Sequence, residues 1–181
     1  MPATVRLSDI IESLEMQIDE YSSFLDRDTG QVESVSDDLL HRAEDGDEDP
    51  DLPEWQKQEW EIARQIVSSH GRFLSLPSKF DVHEWETMRD FSLSVESVRL
   101  REDLLRAIHG AGAFRNFKDT VRRHAIEPAW FAFRAEALKQ IAIDWCEENH
   151  IVWENLISKT LKKLGTARMF PRGRRDRSGT E

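Results

Sequence analysis

The stretch EPAWFAFRAEALKQIAIDWC, residues 127–146, gives the strongest indication of the fold class. Its apolar residues recur at the spacing that places them on one face of an α-helix. Pro128 stands in the first turn, where the donor that proline lacks has no intrahelical partner to lose. The sequence therefore predicts a long amphipathic helix, with Trp130, Phe133, Ala137, Ile141 and Trp145 along its inward face.

Helical periodicity also recurs through much of the chain before this stretch. Ser8 is the predicted N-cap of a first helix, and Asp81 with Glu84 has the spacing of a capping box at the start of another. A weaker helix is predicted over residues 153–164. The predicted inward residues of the earlier helices are Ile10, Ile11, Leu14 and Ile18, then Trp55, Ile62, Ala63, Ile66 and Val67, then Trp85, Met88 and Phe91, and then Leu100, Leu104, Leu105 and Ile108.

The segment YSSFLDRDTGQVESVS, residues 21–36, predicts a β-hairpin, because two short strand-like runs flank the turn residues Asp28, Thr29 and Gly30. These three residues also spell the triplet of aspartic proteases, whose chemistry needs two such carboxylates sharing one proton. A tight turn explains them without a catalytic role. We therefore expect a mainly α (α+β) fold, a compact multi-helix domain with a small N-terminal β-hairpin.

Composition divides the chain into four predicted regions. Residues 1–40 are predicted to form a helix and hairpin packed on the main domain, and residues 54–165 the helical core domain. Residues 41–53, HRAEDGDEDPDLP, are predicted to be an acidic linker, because like charges repel and glycine and proline break regular structure. Residues 166–181 are predicted to be a basic disordered tail.

Charge is distributed unevenly along this chain of net charge -10. Residues 1–60 carry 18 Asp and Glu against four Lys and Arg. Residues 159–177 carry eight Lys and Arg against Asp176 alone. Such asymmetry is a known sign of interaction tails, and solvated, flexible termini are its simpler explanation.

The composition disfavours several classes of protein. Cys146 is the single cysteine, so one chain cannot form a disulfide or a cysteine-based metal site. No apolar run approaches the ~20 residues needed to cross a bilayer, and the N-terminus lacks the apolar region of a signal peptide. We therefore expect a cytoplasmic protein with no membrane contact, no cofactor and no metal. No catalytic residue is assigned, and an enzymatic role is left open but disfavoured.

The stretch GAGAFRNFKDTVRRH, residues 110–124, interleaves basic and aromatic residues. On a helix, Phe114, Phe117 and Val121 share one face. The simpler interpretation is that this face packs in the core while the basic side chains lie in water. The alternative is a basic patch that binds phosphate or carboxylate groups, for which arginine is well suited. The candidate anion-binding residues are Arg115, Lys118, Arg122 and Arg123.

Three segments, GAFRNFKD, FRAEAL and WCEENHI, occur in this order between residues 112 and 151. With them the chain resembles a bacterial family known as uncharacterised protein family 0158, over roughly residues 52–151 and more weakly over the N-terminal helix and hairpin. The family is named for having no known function. The resemblance therefore implies no catalytic residue, and none is carried over.

Two hypotheses of different classes follow. The first is a non-enzymatic, cytosolic protein-interaction or regulatory module, with Trp60 as the predicted exposed contact because it lies off the stripe of its helix. The second is nucleic-acid or nucleotide binding through the basic face of residues 113–124 and the basic tail. The overall acidity disfavours the second, since a negative chain repels phosphate at long range. The sequence leaves the oligomeric state open.

Overall fold

The computed structural model describes residues 3–47 and 51–154. Helices and short strands alternate along the chain, and an α+β fold is confirmed. Among the described residues, no helix has the length and hydropathy needed to cross a bilayer. The elements in chain order are β1 Val5–Arg6, α1 Leu7–Glu15, β2 Tyr21–Asp26, β3 Val32–Ser36, α2 Asp37–Glu44, a 3-10 turn Glu54–Gln56, α3 Lys57–Ser68, β4 Phe73–Ser75, α4 Glu84–Ser94, α5 Val98–Ala107, α6 Ala113–Arg123, α7 Glu127–Glu148 and β5 Trp153–Glu154.

The predicted hairpin is present and forms most of a three-stranded antiparallel sheet in the order β3-β2-β4. Ser23 pairs with Ser34, and Leu25 lies between Val32 and Leu74. The third strand, β4, was not predicted from the sequence. It has only three residues, too few to show the alternation that identifies a strand.

A second, parallel pair joins the two ends of the described chain. Val5 in β1 pairs with Trp153 in β5, and Arg6 pairs with Glu154. The prediction of a helix through Trp153 is wrong at this residue, because its backbone is extended and bonded to β1. The remainder of that predicted helix and the predicted basic tail lie outside the described residues.

Three apolar clusters hold these elements together. The first lies among α1, one face of the sheet and the C-terminal half of α7, with Ile10, Leu25 and Ala142 fully buried. The second joins α4, α5 and α6 to the start of α7, where the rings of Phe117 and Trp130 meet edge to face with centroids 4.8 Å apart. The third lies on the other face of the sheet, between β3, α2 and α3.

Helix α7 is the long helix predicted from the sequence, but its most buried face is turned from the predicted one. Trp130 is buried as expected, whereas the next buried residue is Leu138, eight positions later, and Ala142 and Cys146 follow it at intervals of four. Arg134 lies on this face where the first two clusters meet. Its guanidinium donates to both carboxylate oxygens of Glu84, at 2.8 and 3.3 Å, and so joins α7 to α4.

The stretch predicted to be an acidic linker begins in regular structure. His41–Glu44 forms the last half of α2, which was not predicted, so the linker interpretation is wrong for these four residues. Leu39 and Leu40 of α2 are buried against Ala63 of α3, and this contact gives the short helix its stability. The hairpin and α2, which come before most of the acidic stretch in the sequence, therefore pack directly against α3, which comes after it.

Helix starts also depart from the predicted caps. Helix α1 begins at Leu7, because β1 leads directly into it, and Ser8 lies inside its first turn. The carboxylate of Asp81 accepts hydrogen bonds from the backbone and hydroxyl of Ser78, at 2.8 and 2.7 Å. Asp81 therefore closes a turn before α4 rather than capping that helix.

Candidate functional site

A groove of about 900 Å³ lies between α1 and the three-stranded sheet. Its walls are the C-terminal half of α1 with the loop that follows it, and residues 75–80, which follow β4. The side-chain amide of Gln17 donates a 2.6 Å hydrogen bond to the carbonyl of Pro77, which ties the two walls together. The groove is therefore bounded on both sides and open above the sheet.

The floor of the groove is polar. Ser23 and Ser34 are opposite each other on β2 and β3, and their hydroxyl oxygens are 2.9 Å apart. Leu25 and Val32 continue the same sheet face but pack against the first apolar cluster. The hairpin thus buries the apolar half of this face and leaves the serine half open.

Large apolar side chains stand around the opening. Phe80 is 76% exposed, and Met16, Ile18 and Tyr21 are also exposed while lining the groove. Exposed apolar residues that occur singly are normal on a protein surface. Four that share the rim of one groove form an apolar patch of the kind that marks interaction sites.

The outer edge of β3 borders this groove. The backbone N–H of Asp26 donates to the carbonyl of Gln31, and the N–H of Asp37 donates to the carbonyl of Glu20, each at 2.9 Å. In an antiparallel ladder the bonding direction alternates, so the N–H groups of Val32, Ser34 and Ser36 point away from β2.

Of these three outward N–H groups, that of Ser36 donates to the carboxylate of Glu59 at 2.7 Å. Those of Val32 and Ser34 have no acceptor among residues 3–47 and 51–154. Ser34 is exposed and lines the groove. The edge of β3 therefore offers main-chain hydrogen-bonding groups to an incoming strand.

The groove is strongly acidic. Its two cations are already engaged, since Arg6 pairs with Asp9 at 3.1 Å and Lys79 pairs with Asp19. Within the part of the chain that the structure describes, no three His, Cys, Asp or Glu side chains converge to hold a metal ion. The acidic residues that line the groove are Asp9, Glu12, Asp19, Glu20, Glu33 and Asp37.

An ion pair between the buried Asp26 and the half-buried Arg72 fixes the turn that leads into β3. Asp26 is 4% exposed and accepts hydrogen bonds from the guanidinium of Arg72 at 2.9 and 2.7 Å. The hydroxyl of Thr29 and the N–H of Asp28 donate to the same carboxylate, each at 3.0 Å. The hydrogen bond from Arg72 is the main reason why the pKa of Asp26 is lowered to about 2. Asp28, the acidic residue of the protease-like triplet, therefore lies in a structural turn.

Gly30 completes this turn at a position that no other residue fills without strain. Its φ of +75° is in the left-handed region, and a Cβ there would lie 3.0 Å from the carbonyl oxygen of Thr4. The turn thus packs directly on the segment before β1, which sets β3 beside the groove.

The predicted basic face lies on α6, far along the chain from the groove residues. Phe117 and Val121 are buried with Leu104, Ile108 and Trp130, as the simpler interpretation predicted. Phe114, predicted to share that buried face, is 48% exposed. The candidate residues Arg115, Lys118, Arg122 and Arg123 are all exposed.

Two of these cations have partners on their own helix. Arg122 lies 3.6 Å from Asp119, and Arg123 donates to the hydroxyl of Thr120 at 2.9 Å. Arg115 and Lys118 make no ion pair with any described residue. A shallow depression of about 490 Å³ beside Arg123 is lined by acidic and basic residues of α5 and α6 alike. The helix therefore presents a basic strip rather than a basic pocket.

The prediction that Trp60 is an exposed contact residue is wrong. Trp60 is 5% exposed and lies in the third apolar cluster with Leu39 and Leu40 of α2. Because α2 was not predicted, the face of α3 that it covers could not be identified. Trp55, placed on the inward stripe by its spacing, is 72% exposed in the 3-10 turn before α3.

Comparison with known proteins gives one finding. The model of the uncharacterised protein family UPF0158 matches residues 1–163, and so covers the hairpin, the groove and the acidic stretch as well as the helices. No curated protein and no solved structure gives a significant match to the chain. The matched range is most of the 181 residues and includes every described element. The chain therefore belongs to the uncharacterised protein family UPF0158.

Proposed function

We propose that this protein is a non-enzymatic, cytosolic protein-interaction module that binds an extended basic segment along the outer edge of β3. The observation that carries the proposal is the pair of outward N–H groups on Val32 and Ser34, which border an open groove. A peptide that adds a strand to such an edge gains affinity through its main chain and specificity through alternate side chains.

The side chains around the groove suggest the chemistry of the bound segment. Glu12 and Glu20 line it without an ion-pair partner among the described residues, so lysine or arginine in the segment would neutralise them. Met16 and Phe80 at the rim offer contact to an apolar side chain. The preferred ligand is therefore a basic peptide with at least one large apolar residue.

A peptide library tests this preference directly. Random 12-residue peptides are selected on the immobilised full-length protein at low salt, and the best peptide is then titrated in solution. We expect enrichment of Lys and Arg together with a large apolar residue. Enrichment of acidic or uniformly apolar peptides would contradict the proposed chemistry.

A matched pair of variants tests the proposed strand addition. Ser34→Pro removes the outward N–H without breaking a bond to β2, because proline is tolerated on a free strand edge. Ser34→Ala removes the hydroxyl and keeps the N–H. We expect the selected peptide to bind Ser34→Ala within about threefold of the native affinity and Ser34→Pro at least about tenfold more weakly, near 1.4 kcal/mol. Equal binding by the two variants, with matching circular dichroism spectra, would reject the strand-addition geometry.

A second candidate function is anion binding through α6, and the unpaired state of Arg115 and Lys118 among the described residues favours it. Labelled single-stranded RNA and duplex DNA would be titrated at several salt concentrations. Binding of this kind must weaken steeply as salt rises. The double variant Arg115→Glu, Lys118→Glu should abolish it, whereas Arg64→Glu on α3 should not. Binding that is independent of salt, or no binding at low salt, rejects this function.

A further inference from the structure

We propose that the basic C-terminal segment of this same chain, residues 159–177, occupies the groove in the free protein and must be displaced before a partner binds. The inference rests on the function proposed above and adds a means of regulation. It depends on where the described chain ends, on the charges of the groove and on the residues that follow.

The described chain ends next to a residue that lines the groove. The last described residue, Glu154, is paired with Arg6 in the parallel β1–β5 ladder, and Arg6 lines the groove. Lys159 follows Glu154 by five residues, which span at most ~17 Å when extended. A segment attached so close to its site has an effective concentration on the order of millimolar. Weak intrinsic affinity is therefore enough for it to occupy the groove.

The charges of segment and groove are complementary. Residues 159–177 carry eight Lys and Arg and one Asp, while six carboxylates and only two cations line the groove. Both groove cations, Arg6 and Lys79, are paired with aspartates, and Asp37 accepts a hydrogen bond from Ser22 at 2.7 Å, so Glu12 and Glu20 remain available to the segment. At physiological salt, charges interact over about 8 Å, which confines the attraction to a segment already near the groove.

The segment also contains the apolar residues that the rim of the groove would bind. Met169 and Phe170 stand between Arg168 and Arg172. This is the combination that the groove is proposed to select in a partner, a large apolar pair within a basic run. The protein's own terminus is therefore a competitor with the same chemistry as the proposed ligand.

Paramagnetic NMR on the full-length protein tests this inference. A nitroxide is attached to Ser178→Cys. The native Cys146 does not compete for the label, because it is fully buried and burial raises the pKa of its thiol to about 11. We expect selective broadening of the backbone amides of Ser23, Ser34 and Tyr21 at low salt. Unbroadened groove amides, with the label confirmed, would overturn the inference.

Charge variants distinguish docking from chance proximity. Replacing Arg168, Arg172, Arg174 and Arg175 by glutamate should abolish the broadening, while the same four positions changed to lysine should retain it. The glutamate variant should also bind the selected library peptide about tenfold more tightly. This is the gain expected if the segment leaves the groove open for about a tenth of the time in the native protein, and for all of the time in the variant. Unchanged peptide affinity would show that the segment does not compete.

A mixed sample identifies which copy supplies the segment. Isotope-labelled native protein is combined with unlabelled, spin-labelled protein, so that broadening arises only between chains. We expect none, and broadening here would overturn the intramolecular arrangement. One outcome is that no groove amide is broadened, while the library peptide binds Ser34→Pro more weakly than Ser34→Ala. In that case the proposed function stands and only this inference fails. If the segment docks but every peptide binds Ser34→Pro and Ser34→Ala equally, the proposed strand addition fails instead.

Discussion

Replacing Asp26 by asparagine removes the negative charge from the buried end of β2 and keeps the shape of the side chain. The pKa of Asp26 is lowered from 3.8 to about 2, chiefly by its hydrogen bonds from Arg72. At 1.36 kcal/mol for each pKa unit, this shift corresponds to about 2 kcal/mol of folding free energy. Because the pKa is lower in the folded protein, the stabilisation is complete above about pH 5 and is lost as pH falls through 3.8 towards 2.

Urea unfolding followed by tryptophan fluorescence measures this contribution between pH 3 and pH 7. We expect Asp26→Asn to lower the free energy of unfolding by about 2 kcal/mol at pH 7 and by about 1 kcal/mol less than that at pH 3. Asp28→Asn is the matched control, since Asp28 is exposed and lies 3.3 Å from the same guanidinium. Asp28→Asn should lower the free energy of unfolding by less than about 1 kcal/mol. A loss at Asp26 that does not change between pH 3 and pH 7 would refute the assignment of this stability to the charge.

Two further pairs of variants test the turn and the corrected core. Gly30→Ala should lower the unfolding free energy by more than Gly46→Ala, because both glycines have positive φ but only a Cβ at Gly30 meets backbone, 3.0 Å away. We expect about 1 kcal/mol at Gly46 and at least about twice that at Gly30, and equal losses would mean that the turn does not pack on Thr4. Trp60→Ala should cost about 3–5 kcal/mol in the same unfolding assay, whereas Trp55→Ala should stay within about 0.5 kcal/mol. A larger loss at Trp55 would reverse the assignment of the buried face of α3.

The sequence was most informative where structure depends on residues near one another in the chain. The hairpin was predicted because its turn residues stand between two strand-like runs, and α5, α6 and α7 because their apolar residues repeat over several turns. Phe117 and Val121 were placed correctly for this reason. Local patterns of this kind need no knowledge of what packs against them.

The errors fall where a distant or short element decides the outcome. Trp60 is buried because α2 covers it, and α2 has only eight residues, three of them acidic. The pairing of Val5 with Trp153 joins positions at opposite ends of the described chain, a contact that periodicity cannot reveal. Leu138 is fully buried although the predicted face ran through Ala137, because contacts from two clusters fix the rotation of α7.

The groove could not be predicted, because it is formed by the spacing between α1 and the sheet. The sequence contained one indication of the groove. Tyr21, Ser23 and Leu25 are two residues apart in β2 and so share one face of the strand. Serine in the middle of such a face indicates that the core does not cover it completely. The exposure of the basic residues on α6 was predicted correctly, because their spacing alone places them beside the apolar face of the helix.

The parallel pairing of β1 with β5 has a consequence for the newly made chain. Synthesis proceeds from the N-terminus, yet Val5 meets Trp153, and α1 meets the C-terminal half of α7, only after those residues have emerged from the ribosome. The third cluster, whose buried members lie between Val35 and Ala63, can assemble much earlier. During translation the side of α1 that packs on α7 therefore stays uncovered for most of the time that the chain takes to be made. A chaperone that binds exposed apolar helices would therefore bind α1 during this interval.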